Sequence, residues 1–114
     1  MKKITSINEI NKISRGDNKL VKDFITKFID QLTTQLTDLT VFIPEENATA
    51  VKSIAHKMKS SFFYFGMHDQ KIMAQIIEES IINDFTKTKP QLNELIESCR
   101  IAITELKEDL AKLN

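Results

Sequence analysis

The stretch from residue 55 to residue 66 holds the side chains best suited to chemistry, and it reads Ala-His-Lys-Met-Lys-Ser-Ser-Phe-Phe-Tyr-Phe-Gly. A neutral imidazole nitrogen, such as His56 offers, is a nucleophile that can take up a phosphoryl group. Lys59 follows about one helical turn later, where its ammonium can meet the negative charge of phosphoryl oxygens. Ser60 keeps the adjoining position small. A histidine on the exposed side of a helix, beside a fixed cation and a small residue, can carry a phosphoryl group between larger partners.

An amphipathic helix positions this histidine. At roughly 100° per residue, one arc collects the apolar side chains of Val51, Ile54, Ala55, Met58, Phe62 and Phe65. His56 lies about 150° from the centre of that arc, on the solvent side. Lys52, Lys59, Ser60 and Phe63 share its side, whereas Lys57 points elsewhere. Gly66 suits the end of the helix, where the backbone often needs a positive φ.

The segment resembles the signature of histidine phosphotransfer (HPt) domains, Ala-His-x-Leu-Lys-Gly with a second glycine ten residues after the histidine. Ala55, His56, Lys59 and Gly66 match this signature. Met58 stands in place of the leucine, and Ser60 stands in place of the first glycine. In the family that position is small because a partner loop approaches over it.

The resemblance extends to other parts of the chain. The run 13–17, Ile-Ser-Arg-Gly-Asp, with the apolar residues after it is similar to the family's first two helices. Ala74, Ile77 and Glu78 are similar to the helix that follows the histidine helix. We expect Glu78 to orient the second imidazole nitrogen of His56 or to hold Lys59.

The same resemblance implies a function, partners and a docking face. His56 would accept a phosphoryl group from the phosphoaspartate of a receiver domain and pass it to another receiver, as in multistep two-component relays with a hybrid histidine kinase. The receiver would supply Mg²⁺, and this domain would need no cofactor or metal. Ser60, Phe63, Lys52 and Gly66 would form the docking face. The alternative is a phosphate-independent helical adaptor, which would have little reason to keep both His56 and Lys59.

Composition excludes several other classes of function. Sixteen basic and sixteen acidic residues cancel, which argues against a general nucleic-acid binder. No run approaches the ~20 apolar residues that span a bilayer, so we expect no membrane insertion and a soluble, cytoplasmic protein. The lone Cys99 fits a reducing compartment and a buried position. His56 and His68 lack the spacing of metal ligands, so we expect no metal site. No Gly-rich phosphate loop is present, so we expect no autonomous kinase activity.

The periodicity predicts an all-α fold with five helices, at about 6–14, 18–39, 48–65, 68–84 and 88–113. Only two glycines and two prolines interrupt the chain. Pro90 is expected in the first turn of the last helix. Four long helices with short connections predict an antiparallel up-down-up-down bundle with a short extra N-terminal helix. We expect one domain over residues 1–114, in a monomer that is either free or one domain of a hybrid kinase.

Overall fold

Side-chain caps set the starts of three of the helices in the computed structural model, which describes residues 3–113. Asp17 accepts hydrogen bonds from the backbone N–H groups of Lys19 and Leu20, Asn47 from that of Ala50, and Asp84 from that of Lys87. Each cap satisfies N–H groups that have no partner within the helix. The five helices are α1 Asn8–Ser14, α2 Asn18–Phe42, α3 Ala48–Tyr64, α4 His68–Ser80 and α5 Phe85–Lys112.

The all-helical prediction is confirmed for the described residues, which contain no strand. Met1, Lys2 and Asn114, which the single-domain prediction also covers, lie outside them. Helix α2 continues to Phe42, beyond the predicted end at 39, and α4 already ends at Ser80. None of the described helices is both long and apolar enough to cross a bilayer.

The start of the last helix differs from the prediction. Helix α5 begins at Phe85, because Asp84 caps it, and Pro90 lies inside the helix and not at its start. A proline there lacks the N–H that would bond to the carbonyl four residues earlier, on Thr86. Thr86 is exposed, so water can satisfy that carbonyl. The cap at Asp84, and not Pro90, therefore marks where α5 begins.

One apolar stripe of each helix forms the core. Phe28 of α2 joins two helices there, because its ring stacks on Phe65 with the ring centroids 4.1 Å apart and meets Phe62 edge to face at 6.5 Å. Helix α3 packs against α2 and α4, and α5 packs against α2 and α4, so each of the four longer helices contacts two others. Helix α1 packs on α2. The buried stripe of α3 consists of Val51, Ile54, Ala55, Met58 and Phe62.

Hydrogen bonds join the segment before α1 to two different parts of the bundle. The buried carboxylate of Glu105 accepts hydrogen bonds from the backbone N–H groups of Ile4 and Thr5 and from the Thr5 hydroxyl. The N–H of Ser6 donates to the carbonyl of Phe65 at 2.8 Å. These bonds bring the N-terminal segment against α5 and against the turn that follows the histidine helix.

Candidate functional site

His56 projects from the exposed side of α3, as its helical position predicts. Its side chain is 67% exposed. The Nδ1 atom lies 2.6 Å from Oε1 of Glu78 on α4. Because Nδ1 is occupied by this contact, Nε2 is the ring nitrogen without a partner among the described residues. A ring that donates its Nδ1 hydrogen to Glu78 carries its lone pair on Nε2.

Glu78 also holds Lys59. Its second oxygen, Oε2, lies 2.5 Å from Nζ of Lys59. The Lys59 side chain is only 19% exposed and that of Glu78 14%, so this pair is more covered than a position on the solvent side of α3 predicts. The packing of α4 against α3 provides the cover. One carboxylate therefore joins the two side chains that the sequence singles out.

A second contact of Lys59 was not predicted from the sequence. Its Nζ donates to Oε1 of Gln75, and Nε2 of Gln75 donates to Oε1 of Glu79. Gln75 lies three residues before Glu78, so the two share a face of α4. That spacing is the only signal in the sequence that could have identified Gln75.

The electrostatics of the site keep Glu78 ionised. The hydrogen bond from the Lys59 ammonium is the largest cause that holds the pKa of the Glu78 carboxyl below its ordinary value. Partial burial acts in the opposite direction, because it disfavours the charged carboxylate, and the contact with His56 lowers the pKa further. At neutral pH the carboxylate can therefore accept hydrogen bonds from both side chains at once.

An open concavity of about 610 Å³ surrounds His56. Its remaining lining comes from three helices: Gln31 and Gln35 of α2, Lys57, Lys59, Ser60 and Ser61 of α3, and Lys71 of α4. Lys57, which the helical positions set apart from His56, also belongs to the lining of this concavity.

The predicted docking residues are placed in different surroundings. Ser60 is exposed, and its hydroxyl donates to the carbonyl of Lys57 at 3.1 Å. That bond turns the hydroxyl back onto the helix, so Ser60 presents little bulk. Lys52 is exposed one turn before His56. Phe63 is 44% exposed, and its ring lies 5.6 Å from Nζ of Lys71.

Gly66 packs against the N-terminal segment. Its φ is 69°, as a helix end predicts, and a Cβ at this position would lie 2.9 Å from the Cβ of Ser6. Ten residues after His56 correspond to roughly 15 Å along a helix axis. The structure thus sets Gly66 against the N-terminal segment and not beside His56.

The other reactive side chains, Cys99 and His68, have no contact with Glu78 in the described structure. Cys99 is buried, and this burial raises the pKa of its thiol to about 12. His68 lies at the start of α4, edge to face with Phe63 at 6.4 Å. Within residues 3–113, no group of three or more histidine, cysteine or acidic side chains is placed to hold a metal ion.

This arrangement places an exposed imidazole and an ammonium on the two oxygens of one carboxylate. The model of the Hpt domain family matches the chain over residues 23–114. No curated protein and no solved structure matches the chain. The family match covers α3 and α4 entirely, with His56, Lys59 and Glu78. Since it spans most of the sequence, the chain belongs to the Hpt domain family, whose members carry phosphoryl groups in histidine-phosphotransfer signalling.

Proposed function

We propose that this domain is a phosphocarrier of a multistep two-component relay. His56 accepts a phosphoryl group from the phosphoaspartate of one receiver domain and passes it to a second receiver. Family membership supports phosphotransfer in general. The observation that carries the assignment to His56 is the contact between its Nδ1 and Glu78, which leaves Nε2 of an exposed imidazole ready to react.

The chemical step is a direct transfer between nitrogen and oxygen. The lone pair on Nε2 attacks phosphorus, and the bond between phosphorus and the aspartyl oxygen breaks, so that the partner's aspartate leaves as a carboxylate. The ring gains positive charge as the P–N bond forms. Glu78, 2.6 Å from Nδ1, offsets that charge without moving. The return step to a second receiver is the same reaction in reverse.

Lys59 contributes by its charge. Its ammonium lies within reach of the phosphoryl oxygens because Glu78 and Gln75 fix it on the side of α3 that carries His56. A fixed cation stabilises the negative charge spread over the transferred group. The Mg²⁺ of the reaction belongs, in this proposal, to the receiver, and the domain itself uses no cofactor.

The same proposal includes the antiparallel four-helix bundle. The cyclic order of contacts among α2, α3, α4 and α5 supports it. So do the short connections between these helices, at 43–47, 65–67 and 81–84, because short connections join antiparallel neighbours. A single domain, a monomeric state and a cytoplasmic location stay predictions, the last resting on the unpaired Cys99.

The test uses receiver domains of the source organism, phosphorylated with acetyl phosphate and Mg²⁺. We expect the wild-type chain to gain phosphate that is labile in acid and stable in alkali, and NMR to place it on Nε2. His56→Gln should gain none while its helical circular dichroism stays unchanged, whereas the matched control His68→Gln should still accept phosphate. Phosphate on the His56→Gln variant would refute the assignment. Receiver binding without any transfer would favour the adaptor.

A further inference from the structure

The N-terminal segment, residues 3–7, contains no helix or strand, and a side chain of α5 binds part of its backbone. The N–H groups of Ile4 and Thr5 donate to the carboxylate of Glu105, at 3.1 Å and 2.9 Å. The Thr5 hydroxyl donates to the same carboxylate at 2.7 Å. One side chain, and not a ladder of backbone hydrogen bonds, therefore holds this part of the segment.

Glu105 depends on the segment in return. It is 9% exposed, and it forms no ion pair with any residue in the range 3–113. A buried carboxylate is costly unless hydrogen bonds satisfy it. Every hydrogen bond that this carboxylate accepts from the described residues comes from Ile4 or Thr5. All of these bonds are lost together when the segment leaves α5.

The next part of the segment lies over the end of the histidine helix. The N–H of Ser6 donates to the carbonyl of Phe65 at 2.8 Å, and this carbonyl belongs to the last turn of α3, whose carbonyls lack partners within the helix. Gly66 follows, and a Cβ at this position would lie 2.9 Å from the Cβ of Ser6. Phe65 and Met67 are buried. The segment thus covers the turn between α3 and α4.

We infer that the N-terminal segment is a strap that opens and closes as one unit, with Glu105 as its attachment point, and that the closed strap covers the turn 65–67. Opening frees the Phe65 carbonyl and the space above Gly66. His56 lies about 13 Å from this turn along the axis of α3, so the bundle and the phosphoryl-accepting side chain stay in place. The open strap makes the end of the histidine helix accessible.

The contacts of the strap explain why it opens separately from the bundle. Ile4 and Ile7 are only partly buried where they pack on the core. Lys3 adds an ion pair with Asp109 at 2.8 Å, but its own side chain is 48% exposed, and such pairs contribute little. Segments with few buried apolar contacts open at a lower free energy than the whole fold. Ile10 of α1 is 1% exposed in the core, so the opening unit ends before it.

Amide hydrogen exchange of the full chain, followed by NMR, tests the inference. The amides of Thr5 and Ser6 report on the strap, and the amide of Met58, a fully buried residue of α3, reports on the bundle. In the wild type we expect the two strap amides to share one protection factor, lower than that of Met58. Glu105→Gln should speed their exchange about tenfold to hundredfold, and that of Met58 by a clearly smaller factor. The matched control Glu108→Gln, at an exposed position of α5, should exchange like the wild type.

A double-mutant cycle tests whether the strap covers the turn. An open strap leaves room for a methyl group at Gly66, because Ser6 has moved away. We expect Gly66→Ala to raise the equilibrium constant of unfolding by a factor that is about threefold to tenfold smaller in the Glu105→Gln background than in the wild type. Gly16→Ala, where nothing lies within 4 Å of the new Cβ, should raise it by the same factor in both backgrounds.

Several outcomes would overturn the inference. If the strap amides and the Met58 amide share one protection factor, or are accelerated equally by Glu105→Gln, the segment belongs to the cooperative unit of the bundle. Acceleration at Thr5 without acceleration at Ser6 would refute a single opening unit. Additive effects of Gly66→Ala and Glu105→Gln would refute the cover over the turn. No phosphate or receiver enters these measurements, so their result is independent of the proposed function.

Discussion

The Oε1 oxygen of Glu78 lies 2.6 Å from the Nδ1 atom of His56, and this contact leaves Nε2 as the ring nitrogen without a partner among the described residues. The same carboxylate reaches Lys59 through Oε2. A change at Glu78 therefore acts on the His56 imidazole and on the Lys59 ammonium together, which makes this residue the most informative one to substitute.

Glu78→Gln should change how stability depends on pH. Because the pKa of Glu78 is lower in the fold than its ordinary value of 4.5, the ionised carboxylate stabilises the fold above that pH. This stabilisation is lost as the pH falls through the lowered pKa, since the folded state must then take up the proton. We expect Glu78→Gln to be about 1 kcal/mol less stable at pH 7 and to approach the wild type below about pH 4.

Urea unfolding monitored by circular dichroism from pH 7 to pH 3 checks this expectation. Glu94→Gln, at an exposed position on α5, is the matched control and should follow the wild type throughout. A stability difference between Glu78→Gln and the wild type that stays constant over the whole range would contradict the linkage.

Lys59→Ala should slow phosphoryl transfer by about 10-fold to 1000-fold, the range that corresponds to a loss of about 1.4–4 kcal/mol of transition-state stabilisation. It should also lower the free energy of unfolding by about 1–3 kcal/mol, because it leaves a largely covered Glu78 carboxylate without its cation. Rapid-quench kinetics with a phosphorylated receiver measure the rate. Transfer at the wild-type rate would remove Lys59 from the mechanism.

Gln75→Leu should slow transfer less than Lys59→Ala, since it removes only the acceptor that positions Nζ. Glu78 still holds the cation in that variant. We expect a lower maximal rate in the saturated complex with the half-saturating receiver concentration unchanged. Gln75→Glu keeps an acceptor for Lys59 and should recover part of the rate. A purely structural role of Gln75 would instead reduce stability and leave the maximal rate of folded protein unaltered.

Phe63→Ala and Phe62→Ala form a matched pair of neighbouring aromatic residues. Phe62 is fully buried, so its truncation should cost about 3–5 kcal/mol of folding free energy. Phe63 is 44% exposed, so Phe63→Ala should cost well under half of that folding free energy. We expect the same substitution to weaken receiver association. Thermal unfolding and receiver titration of both variants decide the matter. A severe loss of stability in Phe63→Ala with unchanged affinity would assign Phe63 to the core.

Gly66→Ala should destabilise the fold more than Gly16→Ala. Both glycines have positive φ, 69° and 77°, so each substitution meets the same backbone penalty of about 1–2 kcal/mol. Only at Gly66 would the new Cβ also approach the Ser6 Cβ, at 2.9 Å, whereas at Gly16 nothing lies within 4 Å. Denaturant unfolding of the two variants gives the comparison. Equal losses of unfolding free energy in the two variants would show that the N-terminal segment moves aside freely.

Sequence periodicity by itself determined the helices, the buried stripe of α3 and the exposed side that carries His56. These features depend on side chains within one helix, where 3.6 residues per turn relates sequence position to direction. The cap at Asp84 was equally local, yet Pro90 offered a competing signal and only the structure shows which one starts α5.

Contacts between helices were decided by the tertiary structure. Glu78 was expected near the histidine helix from a resemblance, but only the rotation and register of α4 against α3 set one carboxylate between His56 and Lys59. The same packing brought Gln75 to Lys59 and Lys71 to the concavity around His56. No residue pattern within either helix encodes that register, because it results from how the two buried stripes interdigitate across the whole core.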